Sequence, residues 1–542
     1  GHRSPRSRKA IPVASSNRAI VLLVAVLPWL CLGPWTASGE SVLRVQVHAR
    51  LASIDPFWSN AYITRDHGFL VFDTLFGRDA RHRIQPQMVE SWEVSEDGLA
   101  YSFTLRPGLR FHDGAEVTAT DCVVSLIRWA ARDGLGQAIM DRVLELKALD
   151  RRRFRIVLRE PFALLLSALA KTNATVPFIL PERLAETDPF VEIETAIGSG
   201  PFIAETASGP PSLTAAYRRN PDYRPREEEA SGTAGGKRVR IDRLEWYRVE
   251  DEDAAFQALV EGRHDFMAGV PFSLLDRLSR EAKRGVFLWA SEPVGHQAWL
   301  RVNHLYPPFD DPRARRALQI LVDQARYMRA LVGDHPQFFR SCAAFFGCGT
   351  PYADDGGGEA VLGHDLSRAR RLLRAAGYEG EEIVLLRPSG IPDIARLSEI
   401  TEDLLRRAGA EVRVVEASWE RFARRRDSRE APENGGWHLF HTLWSAANIA
   451  DPQTNVGVWA GCTQGAWFGW PCDDEIETLR RRFVGTMDGQ ARVDIARRIQ
   501  ARAHEVVTYV PLGEFRRPSA YRGNLSGMVE APLPVFWNIE KR

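Results

Sequence analysis

Charge of one sign is what this sequence lacks most plainly: 71 Lys plus Arg face 70 Asp plus Glu over 542 residues, a formal net charge of +1. Without a basic surplus to neutralise phosphates, nucleic acid is excluded as the main partner. Long hydrophobic runs are missing too. Ala19–Leu32, fourteen residues with Pro28 inside, falls short of the about 20 that span a bilayer. At 44% hydrophobic and 26% charged, the chain is neither disordered nor a multi-span membrane protein. The words of nucleotide and metal chemistry are absent as well. There is no Walker loop, and no Gly-x-Gly-x-x-Gly follows a strand. His504-Glu505 begins a zincin-like word, but Thr508 stands where the second His must be. Gly198-Ser-Gly200 falls short of a nucleophile elbow. No cofactor is expected. A hydrolase working with two carboxylates about 5–10 Å apart stays open in principle, but no local motif supports it.

The near-neutral total conceals an uneven spread. Residues 1–39 carry Arg3, Arg6, Arg8, Lys9 and Arg18 with no acid, then the apolar run, then Ala37-Ser-Gly39. A basic flank, a short apolar core and a small-residue exit make a secretory signal peptide, with an uncleaved anchor as the alternative. Leu30 precedes Cys31, where lipid attachment needs a small residue, so there is no convincing lipobox. The first residue is Gly, not Met, as at an incomplete start. Beyond residue 39 remain 66 basic and 70 acidic residues, a mildly acidic exported protein.

Cysteine is scarce, and export gives it meaning. Cys342/Cys348 and Cys462/Cys472 are close pairs that can each close a short loop in an oxidising compartment. Zinc competes, but the two-residue spacing of zinc-binding pairs is missing. Cys122 follows Thr118 and Thr120, either of which can cap a helix, and reads as a small buried residue.

The length is a prior for about three domains. Val42–Val47 alternates as a strand does, and 89–117 reads as a β-meander turning at Asp97-Gly98, Pro107-Gly108 and Asp113-Gly114. Further strands are expected at 155–158, 239–241, 243–247 and 298–302, and helices at 253–260, 312–331, 366–376, 394–408 and 494–507. Such mixing gives an α/β fold. Segments 224–236, 353–358 and 424–436 read as coreless surface loops. Aromatics are plentiful: Trp437, Trp444, Trp459, Trp467 and Trp470 fall within one short segment with Gly, Ser and Asn. Indoles of this kind either pack a core or line a ligand site. His438 and His441 would point to opposite faces of a strand, a poor arrangement for a shared metal.

One stretch is more specific. Val71-Phe-Asp-Thr-Leu-Phe-Gly77, Gln85-Pro-Gln-Met-Val-Glu-Ser-Trp-Glu-Val94, Tyr101–Gly114 with Phe111-His-Asp-Gly, and Thr118–Ser125 run in order. They are followed by Ile197–Phe202, Pro308–Leu318 and Ala450-Asp-Pro452. This pattern resembles the family 5 extracellular solute-binding proteins, the dipeptide, oligopeptide and nickel receptors of ABC importers. The resemblance implies a type II periplasmic-binding-protein fold, two lobes joined by crossover strands plus an extra subdomain. It places lobe I at 40–84, 198–292 and 511–542, the extra subdomain at 85–197 and lobe II at 293–510. It implies hinge closure on a peptide or peptide-like ligand, delivered to an inner-membrane permease with its ATPase subunits. An oligosaccharide, an opine-like compound or a nickel chelate are the alternatives. Ligand contacts are expected at Trp58, Thr64 and Arg65, and at Trp444, Ser445, Ala446, Asn448 and Asp451. His112 reads as a turn-capping residue, and Gly198-Ser-Gly-Pro201 as a switch between lobes. The Asp that peptide receptors of this family place shortly after that Trp, to hold an α-ammonium, is missing here; the first carboxylate is Asp451.

Overall fold

Brief alternation from Val42 onward builds β1 (Val42–Gln46), with Leu43 and Val45 fully buried. The computed structural model that shows this describes residues 39–292 and 294–542, so the expected leader, Cys31 included, lies outside the described residues apart from Gly39. Helix α1 (Tyr62–Val71) follows. Next come β2 (Val89–Val94) and β3 (Ala100–Leu105), joined through Gly98 at φ 69°, the left-handed turn that Asp-Gly favours. Helix α2 (Ala119–Arg132) opens on a capping box between Thr118 and Asp121 and buries Cys122. Strands β4 (Val143–Ala148) and β5 (Arg153–Leu158) complete an antiparallel sheet in the order β2-β3-β5-β4.

The chain then returns to the first sheet with β6 (Phe202–Glu205), β7 (Leu213–Arg219), β8 (Arg243–Tyr247), β9 (Phe266–Met267) and β10 (Val286–Trp289). A second sheet takes β11 (His296–Val302), β12 (Phe339–Arg340), β13 (Ile383–Ser389), β14 (Val412–Ser418), β15 (Leu439–Ser445) and β16 (Tyr509–Phe515). Its order is β12-β16-β11-β15-β13-β14. Finally β17 (Ser519–Arg522) goes home to the first sheet, whose order is β6-β7-β8-β1-β9-β17-β10 with β1 parallel to β8 and β9. Two sheets with mixed strands and two chain crossings make the two-lobed binding-protein fold. The crossings are short: residues 290–295 lead out and 516–518 lead back. The second sheet keeps the chain through Phe515, past the boundary at 510 suggested by sequence.

Three local expectations change. The helix expected at 312–331 is two helices, Pro312–Leu321 and Gln324–Val332, because the Asp323 side chain caps the second by accepting from Arg326 N. Val239–Ile241 is not a strand; the neighbouring Arg238 N–H donates to Asn538 Oδ1 of the C-terminal tail, and β8 starts at Arg243. The loop 224–236 does have a core. Thr233 and Ala234 are buried, and adjoining Lys237 is wholly buried on Asp73 at 2.8 Å.

Candidate functional site

Among the described residues, two small chambers are lined from both lobes. The larger, about 210 Å³, is lined from lobe I by the end of β1 (His48) and the start of α1 (Tyr62, Arg65, Asp66), and from lobe II by His296 and Ser445. Both crossings border it, through Ser291 and Glu292 on the way out and Arg517 on the way back. Its arginines are already paired with carboxylates of the chain. Arg65 donates to Asp66 Oδ1 from Nε (2.9 Å) and Nη2 (2.6 Å), and lies over the Tyr62 ring at 4.5 Å. Arg517 donates to Asp393 Oδ2 at 2.8 Å. Glu292 is the exception: among the described residues its closest polar contact is His296 Nδ1 at 3.8 Å, beyond hydrogen-bond reach. Burial raises the Glu292 carboxyl to about 8. Burial, then Arg517 and Arg65, lower His296 to about 4.

The smaller chamber, about 50 Å³, is faced by Arg78, His82, Lys171 and Asn173 of lobe I and by Ala447 and Asp451 of lobe II. Arg78 gives its guanidinium to the carbonyls of Ala170 (3.1 Å), His82 (2.9 Å) and Ser167 (3.3 Å). Lys171 is bound to Asp133. Asp451 Oδ1 accepts from Gln453 N (2.8 Å) and Thr454 N (3.0 Å), closing its own turn before Pro452. Burial raises its carboxyl despite these bonds. Between the chambers, Asn448 Nδ2 donates across the lobes to the Tyr62 hydroxyl at 3.2 Å, and Arg65 Nη1 donates to Thr172 O at 3.3 Å.

Of the residues singled out from sequence, Arg65 and Ser445 face the larger chamber, Asp451 the smaller, and Asn448 the partition. The others sit elsewhere. Thr64 is buried, its hydroxyl on Ser53 O. Trp58 is exposed beneath the Arg132 guanidinium, 5.0 Å from its ring centroid. Ala446 is buried against Gly347. Trp444 stacks on Trp299 (5.3 Å, 21°) and meets Trp467 edge-on. Strand alternation explains this: with Ser445 turned to the chamber, Trp444 must point to the opposite face. None of the five clustered Trp residues lines either chamber; Trp437 and Trp470 are core, and the other three pack against it.

The remaining motifs are structural as well. His112 accepts from Gly198 N (3.3 Å) and contacts Gly200 O (3.2 Å), pinning the Phe-His-Asp-Gly turn to the loop before β6. Gly198 and Gly200 pack against the backbone of Leu70, Val71 and Phe72 too closely for any Cβ. They serve close approach within lobe I, not a switch between lobes, since the crossings lie elsewhere. His441 is buried on Ser398 (3.1 Å) and Thr401 (2.7 Å), and His438 on Val384 N and Pro307 O, so they do not share a ligand. Cys342 is joined to Cys348 and Cys462 to Cys472. His48, Asp66, Glu292, His296 and Arg517 escaped sequence reasoning, because no motif or period marks them.

The sequence model of the bacterial extracellular solute-binding proteins, family 5 Middle, matches residues 83–467. The chain belongs to this family. Among its relatives is the "Probable peptide ABC transporter periplasmic-binding protein y4tO" of Sinorhizobium fredii, 36% identical over 95% of this chain and 96% of that protein. Solved family 5 folds superpose along nearly the whole length. DppA from Helicobacter pylori, in complex with peptide STSA, gives a TM-score of 0.70 at 19% identity, covering 93% of this chain and 98% of that one. MoaA from A.tumefacien R10, in complex with mannopinic acid, gives 0.71 at 20% identity over 93% and 100%. As a family 5 protein the chain is an extracellular or periplasmic solute-binding receptor of an ABC importer, and the cleft between its lobes is the place where both lobes can grip a solute. Among the described residues no helix is long and apolar enough to cross a membrane.

Proposed function

We propose that this protein captures a small peptide or peptide-like amino-acid derivative and delivers it, as a monomer, to an inner-membrane permease powered by separate ATPase subunits. The chain makes and breaks no bond. The observation that carries this reading is the 210 Å³ chamber, bounded by both lobes and by both crossings. A ligand there touches each lobe, so its contacts favour the closed form over the open one, and closure is what the permease reads. The chamber offers both signs of charge beside neutral hydroxyls, the inventory suited to a compound with an amine, a carboxylate and amides. The name of the Sinorhizobium relative and the peptide held by the Helicobacter structure favour peptides; the mannopinic acid complex keeps opine-like compounds on the same fold in view. The contacts proposed here are Arg65, Ser445 and Asn448, while Asp451 belongs to the smaller chamber. Export through a cleaved signal within residues 1–39 completes the proposal.

The test is a thermal-shift screen of the purified protein against di- to pentapeptides, opines, oligosaccharides and nickel chelates. A ligand of the native state raises Tm by mass action, about 2.7 kcal/mol of stabilisation at 100 times Kd. We expect peptides to raise it. A shift with a sugar or a nickel chelate and none with any peptide overturns the reading.

A further inference from the structure

The chamber at the crossings holds one acid, Glu292, that no other described residue binds. We propose that Glu292 is the anchor for the ammonium group of the ligand. This rests on the peptide-like reading above and names the group that meets the ligand's amine.

The charges around it leave that role open. From α1 come Arg65 and Asp66, from the end of β1 His48, from β11 His296, and from the returning crossing Arg516 and Arg517. Arg65 is committed to Asp66 and to Thr172 O. Arg517 is committed to Asp393 and to the face of Phe272, 4.1 Å away, and Arg516 donates to Gln337 O at 2.9 Å. His48 and His296 are driven towards their neutral forms by burial. Among the described residues no hydrogen bond reaches the Glu292 carboxyl; His296 Nδ1, 3.8 Å away, has no hydrogen-bond partner of its own. A secluded acid without a donor is costly to ionise. An ammonium supplies the missing charge and three donors together. A ligand carboxylate would instead meet a second carboxyl, for which the repulsion opposes ionisation. Position adds a consequence. Glu292 lies in the outgoing crossing, between β10 of lobe I and β11 of lobe II, so a pair formed there is made at the hinge itself.

Burial holds Glu292 near 8 when the cleft is empty, so at pH 7 it carries a proton that an arriving ammonium expels. The experiment is titration calorimetry at pH 7 in phosphate and in Tris, whose ionisation enthalpies differ. The probes are free-amine di- and tripeptides, each beside its N-acetylated form. We expect the free amines to bind with release of close to one proton per ligand, and acetylation to weaken binding roughly 10- to 100-fold, as for loss of a charge-assisted bond. Glu292→Gln should abolish the proton release and weaken only the free-amine form. Free-amine binding without proton release, or unchanged by the substitution, overturns the anchor while leaving a peptide receptor standing. If no peptide binds in either form, the peptide reading itself falls and the anchor with it. The proton count on the unaltered protein stands even where the variant fails to fold.

Discussion

The two chambers of the cleft differ less in what charges they contain than in what those charges already do. In the smaller one, Arg78 is filled by three carbonyls, Lys171 by Asp133 and Asp451 by its own turn. What remains without a partner there is neutral: His82 Nε2 and Asn173 Oδ1. In the larger, Arg65 and Asp66 satisfy one another, but Glu292 faces the space with no donor among the described residues. A charge satisfied by its own chain holds the fold; a charge left open is available to a solute. On that distinction, the smaller chamber is a framework joint between lobes and the larger one is where a ligand's charge is read.

Substitutions in the two chambers should therefore act with opposite signs on stability. The largest effect belongs to Arg78→Ala. It removes the donors from the Ala170, His82 and Ser167 carbonyls and one of the cations that act on Asp451. Losing several charge-assisted bonds at once should cost about 3 kcal/mol, read as a lower midpoint in urea at unchanged slope. A variant as stable as the parent would mean that Arg78 is not framework, and the contrast between chambers would collapse.

How far sequence reaches follows the same line. The Thr118 cap, the Asp97-Gly98 turn and the alternating run 100–105 are local, and each is set by residues a few positions apart. They were legible for that reason, as was the family resemblance that follows from them. The tryptophan-rich segment was half legible. Its composition suits a ligand wall, but alternation along β15 turns Trp444 from the chamber into the stack with Trp299, while small Ser445 faces the space. Glu292 was illegible. Ser291-Glu-Pro-Val-Gly295 has no period, and its importance arises only where α1, β11 and the crossing at 516–518, distant in sequence, converge. The missing Asp after Trp444 directed attention to Asp451, yet the acid that stands open comes from the hinge.

The second effect is no larger and runs the other way. A carboxyl raised in the folded state binds a proton that the unfolded chain has lost, so stability falls as pH rises from the ordinary Glu value of about 4.5 to about 8. Glu292→Gln removes that slope. In the ligand-free protein it should gain up to about 3 kcal/mol at pH 7, shrinking towards nothing near pH 4.5. Parallel pH profiles of Tm for the variant and the parent would show that Glu292 does not hold a proton in the empty cleft.

The smallest effect is expected where the sequence pointed first. Asp451→Asn keeps the Oδ1 acceptor that receives Gln453 N and Thr454 N, so the turn before Pro452 persists. It removes a carboxyl that burial already disfavours as an anion, raising its pKa against the pull of Arg78. The lost attraction to Arg78 and the relieved desolvation oppose one another, leaving a net change of about 1 kcal/mol or less. Because the folded carboxyl is raised, its penalty grows with pH above the unfolded value, so the substitution should be least harmful at the alkaline end of that window. Peptide affinity measured by calorimetry should stay within about threefold of the parent, less than 1 kcal/mol. A loss as large as that expected for Glu292→Gln would transfer the ammonium from the hinge to the smaller chamber, and with it the distinction between a saturated joint and an open site.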